Sequence, residues 1–375
     1  MKLFACQACG QLLLFENTKC ERCGHQLGYL PDRNVVSAIE ADGDVWKPLA
    51  GAKRRFRYCE NALHGACNWL VPVESAERFC LACRHNNTIP DLDQTPNLAR
   101  WQTLETAKHR MFYSLVRLGL PLRNREDDPD HGLEFDFLGD KTGAPRVLTG
   151  HDGGRITISL TETDPAEREK MRVAMGEQYR TLLGHFRHEV GHYYWDVLVR
   201  DGGKLDACRA MFGDDGQDYE AALKRHYAQG APLDWQESFI SAYATSHPWE
   251  DFAETWAHYL HIVDTLETAS AFGLRVSPKA PSSEELRATI DFDPYAPGDF
   301  TPLVNAWLPL TFAVNSLNRS MGQPDLYPFV LSPPVIEKLG FIHDLVHGLA
   351  ARPHPITEDQ EPANLAPEQL EATSP

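Results

Sequence analysis

His188-Glu189-Val190-Gly191-His192 lies within a proline-free run, from Gln178 to Val199, whose apolar residues recur at helical spacing. Leu182, Leu183, Phe186, Val190, Tyr194, Val197 and Leu198 form one broad stripe, which predicts a largely buried helix. On such a helix two histidines four residues apart project from one face, one turn above the other. Both imidazoles of His188 and His192 can therefore reach a single metal ion, with Glu189 placed to take a proton from a water between them. A buried helix carrying these polar groups needs partners for them, and a metal ion supplies such partners.

Fifty residues on, the chain reads Tyr243-Ala-Thr-Ser-His-Pro-Trp-Glu250-Asp-Phe-Ala-Glu254-Thr-Trp-Ala-His258. Pro248 suits the first turn of a helix, and Glu250 and Glu254 then lie one turn apart on a single face. A carboxylate brought to the two histidines completes three protein ligands and leaves a fourth position for water, the open arrangement of a catalytic zinc. His258 and His261 fall two turns or more beyond Glu250, about 12 Å or more along the axis, and read as core or rim residues. His185, one turn before His188, is a candidate to line a cleft.

H-E-x-x-H followed by a helix reading E-x-x-x-[DE] resembles the gluzincin metallopeptidases. The resemblance implies that His188, His192 and Glu250 hold zinc, that Glu189 is the general base, and that Glu254 hydrogen-bonds a ligand histidine. In the lethal-factor-like branch a tyrosine seven residues before the ligand glutamate steadies the oxyanion, and Tyr243 occupies that position here.

Eight of the nine cysteines precede residue 84. Cys6-x-x-Cys9 and Cys20-x-x-Cys23 are two knuckles, each followed by a glycine (Gly10 and Gly24), and together they have the spacing of a zinc ribbon. Disulfides are the competing account, disfavoured in a reducing cytoplasm. Cys80-x-x-Cys83 is a further knuckle, whose partners Cys59 and Cys67 stand eight apart. Four cysteines form the expected second site, with His64 or His85 as alternatives to one of them. Segments this small bury too little surface to fold alone, so both metals are expected to be structural.

The chain has 375 residues and a formal net charge of −17, which argues against broad nucleic-acid binding. Residues 1–90 carry 11 Lys and Arg against 9 Asp and Glu, so the acidity belongs to the remainder. The basic patch Lys53-Arg54-Arg55-Phe56-Arg57 is the one place where a ribbon could touch nucleic acid; a solvated strand or loop is the plainer reading. No run approaches the ~20 apolar residues of a membrane span, and no signal-peptide core opens the sequence, so a cytoplasmic location is expected.

Residues 86–96 read as a linker, and a helical pattern follows from Asn97 to about Leu118. Leu133–Leu138 and Arg155–Leu160 alternate as strands. The second is a candidate edge for an extended substrate, with an ordinary structural strand as the alternative. Asp164-Pro165 caps a helix, residues 204–230 form one or two helices broken near Gly213–Gly216, and residues 302–318 and 334–350 form two more. Cys208 reads as a small core residue.

The knuckle sets, the helix containing Trp101, Tyr179 to Trp195 and His247 to Glu254 together resemble a bacterial family of putative zinc-binding metallopeptidases with an N-terminal zinc ribbon. The expected fold is α+β. A metal-stabilised double zinc ribbon (1–88) precedes a mainly helical zincin-like domain with a small sheet (89–352), and a disordered tail closes the chain (353–375). The expected activity is hydrolysis of a peptide or protein substrate, endo- or exo-acting, with one catalytic and two structural zinc ions. A binding protein that keeps the fold as scaffold, and a zinc hydrolase of a non-peptide amide or ester, are the competing readings.

Overall fold

The computed structural model describes residues 1–51, 53–140, 143, 145–175, 177–279 and 284–349. The expected tail at 353–375 lies outside the described residues.

The N-terminal part is built on strands. β1 (Phe4–Ala5) and β2 (Leu12–Leu13) form the first knuckle's hairpin. β3 (Gln26–Leu30), β4 (Val35–Asp42), β5 (Val45–Pro48), β6 (Phe56–Tyr58) and β7 (Leu70–Pro72) make an antiparallel five-stranded sheet. Its inner face centres on Tyr29 and Trp69, both fully buried with ring centroids 4.6 Å apart. Knuckle spacing alone does not predict this sheet. Arg55 pairs with Asp42, and Arg57 donates to the carbonyls of Pro72, Val73, Ser75 and Glu77, so half of the basic patch is spent on the fold.

The ribbon region is seated on the first long helix, α1 (Asn97–Arg117). Phe15 packs edge-on against Tyr113, and Trp69 packs against His109. The stretch read as a linker contributes a strand, β8 (Asn86–Thr88). With β9 (Glu134–Leu138), β10 (Gly150–Asp152) and β11 (Arg155–Ser159) it forms a sheet in the order β10-β11-β9-β8. β9 runs parallel to both neighbours, with Ile156 opposite Phe135 and Ile158 opposite Phe137, and all four side chains are buried. Arg155–Ser159 is thus an interior strand, and the expectation that it is an edge is corrected. The hairpin at Gly153-Gly154 folds β10 back onto its open side, so the edge is Gly150–Asp152.

The helical part comprises α2 (Pro165–Ala174), α3 (Leu182–Tyr194), α4 (Leu205–Phe212), α5 (Tyr219–Gln229), α6 (Pro248–Ala271), α7 (Thr301–Ser320) and α8 (Pro333–Val346). A short strand pair, β12 (Arg275–Val276) and β13 (Ala288–Thr289), precedes α7. α3 starts four residues later than its periodicity suggests, because the Thr181 hydroxyl accepts from the Gly184 amide and caps the helix there. Its last turn widens into a π-helical segment, Trp195–Arg200. α3 and α6 form the central pair. Gly191 makes their approach possible: a Cβ there would stand 3.1 Å from Trp256 Cδ1 and 3.2 Å from Ala253 Cα. The pair is also clamped by the buried Arg187, which donates to Asp264 Oδ2 at 2.7 Å. Among the described residues no helix is long and apolar enough to cross a membrane.

Candidate metal centres and active site

α3 presents His188 and His192 along one face, and α6 opposes them with Glu250 and Glu254. His247 caps α6, its Nδ1 accepting from the Trp249 amide at 3.1 Å, and Pro248 fills the first turn. Glu250 in the first turn and Glu254 in the second therefore face α3.

Glu250 Oε2 lies 3.0 Å from His188 Nε2 and 3.4 Å from His192 Nε2, and the two Nε2 atoms are 3.2 Å apart. These three atoms fit a cation better than they fit one another. His188 Nδ1 stands 2.7 Å from Glu254 Oε1, and a carboxylate only accepts, so Nδ1 carries the ring proton and Nε2 offers its lone pair. Glu250 Oε2 is buried and has no partner in hydrogen-bonding geometry. Such a group is costly without a cation beside it. The set of two imidazoles and a carboxylate is a zinc donor set.

Three further groups hold the carboxylates or stand beside them. The Tyr219 hydroxyl, on α5, donates to Glu250 Oε1 at 2.6 Å, which leaves Oε2 turned towards the histidines. Ser241 Oγ donates to Glu254 Oε2 at 2.6 Å, so Glu254 spans Ser241 and His188. Tyr243 begins a short turn before α6, with its ring centroid 5.9 Å from that of His188. Burial, with Glu250 nearby, pushes its phenol well above the usual value, so it stays a hydrogen-bond donor. Burial likewise raises the carboxyl of Glu189, an effect partly offset by His188 and His192.

Opposite α6, the edge strand β10 brings the ring of His151 to within 6.0 Å of that of His192, and the Trp249 ring lies 3.8 Å from His192. Of these neighbours, Tyr219, Ser241 and His151 carry no motif that marks them in the sequence. Tyr219 is 31 residues from Glu250, and no spacing rule links them. His258 and His261 are turned away: His258 Nδ1 meets the Tyr327 hydroxyl at 2.8 Å, and His261 Nδ1 meets Arg187 at 2.6 Å. His185 stands 3.1 Å from Glu162 and lines the cavity beside His188.

All nine cysteines are free thiols. In the first cluster the Sγ atoms of Cys6 and Cys23, and of Cys9 and Cys20, are 3.6 Å apart. In the second, Cys67 and Cys80 are separated by 3.7 Å, with Cys59 and Cys83 completing the group. A tetrahedron of sulfurs about 2.3 Å from a zinc has edges of about 3.8 Å, whereas a disulfide is about 2.05 Å. Gly10 and Gly24 take φ of 73° and 77° at the ends of their knuckles, where a side chain would be strained. The amides of Trp69, Cys80 and Cys83 point at the sulfurs of Cys67, Cys59 and Cys80, at 3.3, 3.3 and 3.4 Å.

His64 and His85 stay out of the second cluster. His64 packs on Trp101, and His85 Nδ1 bonds the Leu81 carbonyl. The histidine that does reach it is His109 of α1, whose Nε2 lies 3.3 Å from Cys67 Sγ and 3.5 Å from Cys83 Sγ. Glu105 and Lys108, both fully buried, pair beside it, and Lys108 also bonds Asn86. Glu105, Lys108 and His109 interrupting the apolar stripe of α1 are the signal the sequence offers.

Residues 3–94 match a zinc-ribbon domain, and residues 97–345 match a family described as putative zinc-binding metallo-peptidases. Over 351 residues, 93% of this chain and 96% of theirs, the chain is 44% identical to uncharacterized proteins of Mycobacterium bovis and of Mycobacterium tuberculosis strain H37Rv. No solved structure matches it. With its two cysteine clusters and its helical domain, the chain belongs to the putative zinc-binding metallo-peptidase family, behind an N-terminal zinc ribbon.

Proposed function

We propose that the protein is a gluzincin-like zinc peptidase that hydrolyses peptide bonds with Glu189 as general base. The observation that carries this is the convergence of His188 Nε2, His192 Nε2 and Glu250 Oε2 within 3.4 Å of one another, next to Glu189 and a cavity. A zinc ion held by these three residues supplies the Lewis acidity that acidifies water and polarises a carbonyl. Glu189 takes the proton of the attacking water and passes it to the leaving amine. Its burial keeps the carboxyl a better base than an exposed glutamate. The Tyr243 hydroxyl donates to the oxygen that gains charge as the carbonyl is attacked. Tyr219 and Glu254 orient Glu250 and His188. An extended substrate pairs with the free side of Gly150–Asp152, the edge next to α3.

The two cysteine clusters each hold one structural zinc, which makes three ions per chain. Free, clustered thiols suit a reducing compartment, and this supports a cytoplasmic setting. The test is an unbiased peptide pool digested in parallel by the wild type and Glu189→Gln. Cleavage by the first and not the second is expected; equal cleavage by both would remove Glu189 from the reaction.

A further inference from the structure

A cavity of about 510 Å³ opens beside His188 and Tyr243. It sits over the first turns of α3, between α5 and α6. A smaller cavity of about 150 Å³ continues it past Tyr179, His258, His261 and Phe329 towards Trp307 and Leu310. The charged groups on its wall are already matched. Arg180 bonds Glu177 at 2.9 and 3.1 Å and Glu162 at 3.1 Å, while His185 faces Glu162 at 3.1 Å. Of the polar side chains, Glu254 is held by Ser241 and His188 and His226 meets Thr245, while Gln178 and Gln236 are exposed. Among the described residues, no unmatched charge is therefore offered to a charged substrate group.

What the wall does offer is ring surface. Tyr179 stands edge-on to Phe329 with centroids 6.1 Å apart, and His258 stands edge-on to Phe329 at 4.4 Å. Trp235 and Tyr227 line the same space, and at its rim Met175 and Tyr227 are 50% and 59% exposed. Walls of this kind receive another ring by offset or edge-to-face packing. The volume exceeds that of a small aliphatic side chain, which would leave much of the cavity unfilled.

We infer that this cavity is the specificity pocket of the site and takes a large aromatic side chain flanking the scissile bond. The inference rests on the peptidase reading. Ala257 of α6 is buried, lines the pocket and is not one of the metal donors, so Ala257→Leu fills the space. Phe329→Ala removes a wall from a segment outside the helices.

The experiment uses the zinc-loaded full chain and two chelating probes, phenylalanine hydroxamate and alanine hydroxamate, with binding measured by calorimetry. The wild type is expected to bind the phenylalanine probe at least about tenfold more tightly, as apolar pockets discriminate. Ala257→Leu and Phe329→Ala are each expected to lose that preference while keeping the affinity for the alanine probe. If Ala257→Leu does not fold, Phe329→Ala carries the comparison. Equal binding of the probes by the wild type, or a preference that survives both substitutions, overturns the inference. The same proteins are given the peptide pool. Hydrolysis without aromatic enrichment next to the cleaved bond overturns the pocket and leaves the peptidase reading standing. Probe discrimination without hydrolysis overturns both.

Discussion

His188 and Glu254 are joined through Nδ1 and Oε1 at 2.7 Å, and Ser241 fixes the other oxygen of Glu254 at 2.6 Å. This short chain sets which nitrogen of His188 bears the proton, and so decides that its Nε2 faces Glu250 and His192 as a bare donor. α3 alone cannot do this. The tautomer is imposed by α6 and by the turn before it, which ties the readiness of the metal centre to the packing of two helices.

The two glutamates of α6 should therefore separate in a metal-content assay. On the proposed assignment Glu250→Gln weakens a direct ligand and is expected to empty the centre. Glu254→Gln leaves the ligands in place and is expected to weaken zinc affinity by about 10–100-fold. A metal-free Glu254→Gln beside a fully loaded Glu250→Gln would exchange the roles of the two carboxylates.

Elemental analysis of the purified chain should find about three zinc ions. The double variant His188→Ala/His192→Ala should hold about one fewer, and Cys6→Ser/Cys9→Ser should also lose about one. A histidine variant with undiminished zinc would mean that the third ion sits elsewhere.

The candidate centre is legible in the sequence because the residues that converge there obey helical spacing: His188 and His192 stand four positions apart, and so do Glu250 and Glu254. The knuckles are legible because two-residue spacing, with a following glycine in the first two, marks a local turn. What the sequence hides depends on tertiary contact. Tyr219 reaches Glu250 from another helix, His151 approaches His192 from a strand, and His109 reaches Cys67 across 42 residues. The edge strand is misplaced by alternation, which reports a strand's faces and says nothing of its neighbours; the hairpin at Gly153-Gly154 decides that.

Gly191→Ala weighs helix propensity against close packing. Alanine favours a helix by about 1 kcal/mol over glycine. The new methyl, however, meets Trp256 Cδ1 at 3.1 Å and the Ala253 backbone at 3.2 Å, and overpacking costs about 1–3 kcal/mol. A net loss of stability is expected, read as a lower midpoint in urea with an unchanged slope. A variant more stable than the wild type would show that α3 and α6 can yield at this point.

His258 gives the fold an acid-sensitive term. Burial is the main cause that lowers its pKa from 6.5 to about 4, against the opposing pull of Glu254. His258 Nδ1 and the Tyr327 hydroxyl share a hydrogen bond at 2.8 Å, and a neutral partner of this kind offsets little of the cost of burying a charged imidazolium. A histidine depressed in the folded state contributes stability that is complete above pH 6.5 and lost as pH falls towards 4. The slope is about 1.4 kcal/mol per pH unit for one such group. Melting temperatures measured across this window should fall less steeply for His258→Gln than for the wild type. Parallel profiles would exclude His258 as a source of the acid sensitivity.

The two tyrosines near Glu250 should part company in the chemistry. Tyr243→Phe removes the proposed oxyanion donor and is expected to lower kcat by about 10²–10³, with zinc content intact, as the loss of one such donor does. Tyr219→Phe removes the hydrogen bond to Glu250 Oε1 and frees that carboxylate to turn. Its expected effect is a loss of zinc affinity of about 10–100-fold, with activity largely restored when zinc is added in excess. Glu189→Gln completes the comparison, because it retains the side-chain shape and the ligands while removing the base, so zinc stays and turnover nearly vanishes. Measuring kcat and bound zinc on the same samples separates a donor to the reacting atoms from a residue that acts through a ligand. Should excess zinc rescue Tyr243→Phe and leave Tyr219→Phe inactive, the oxyanion donor would be Tyr219.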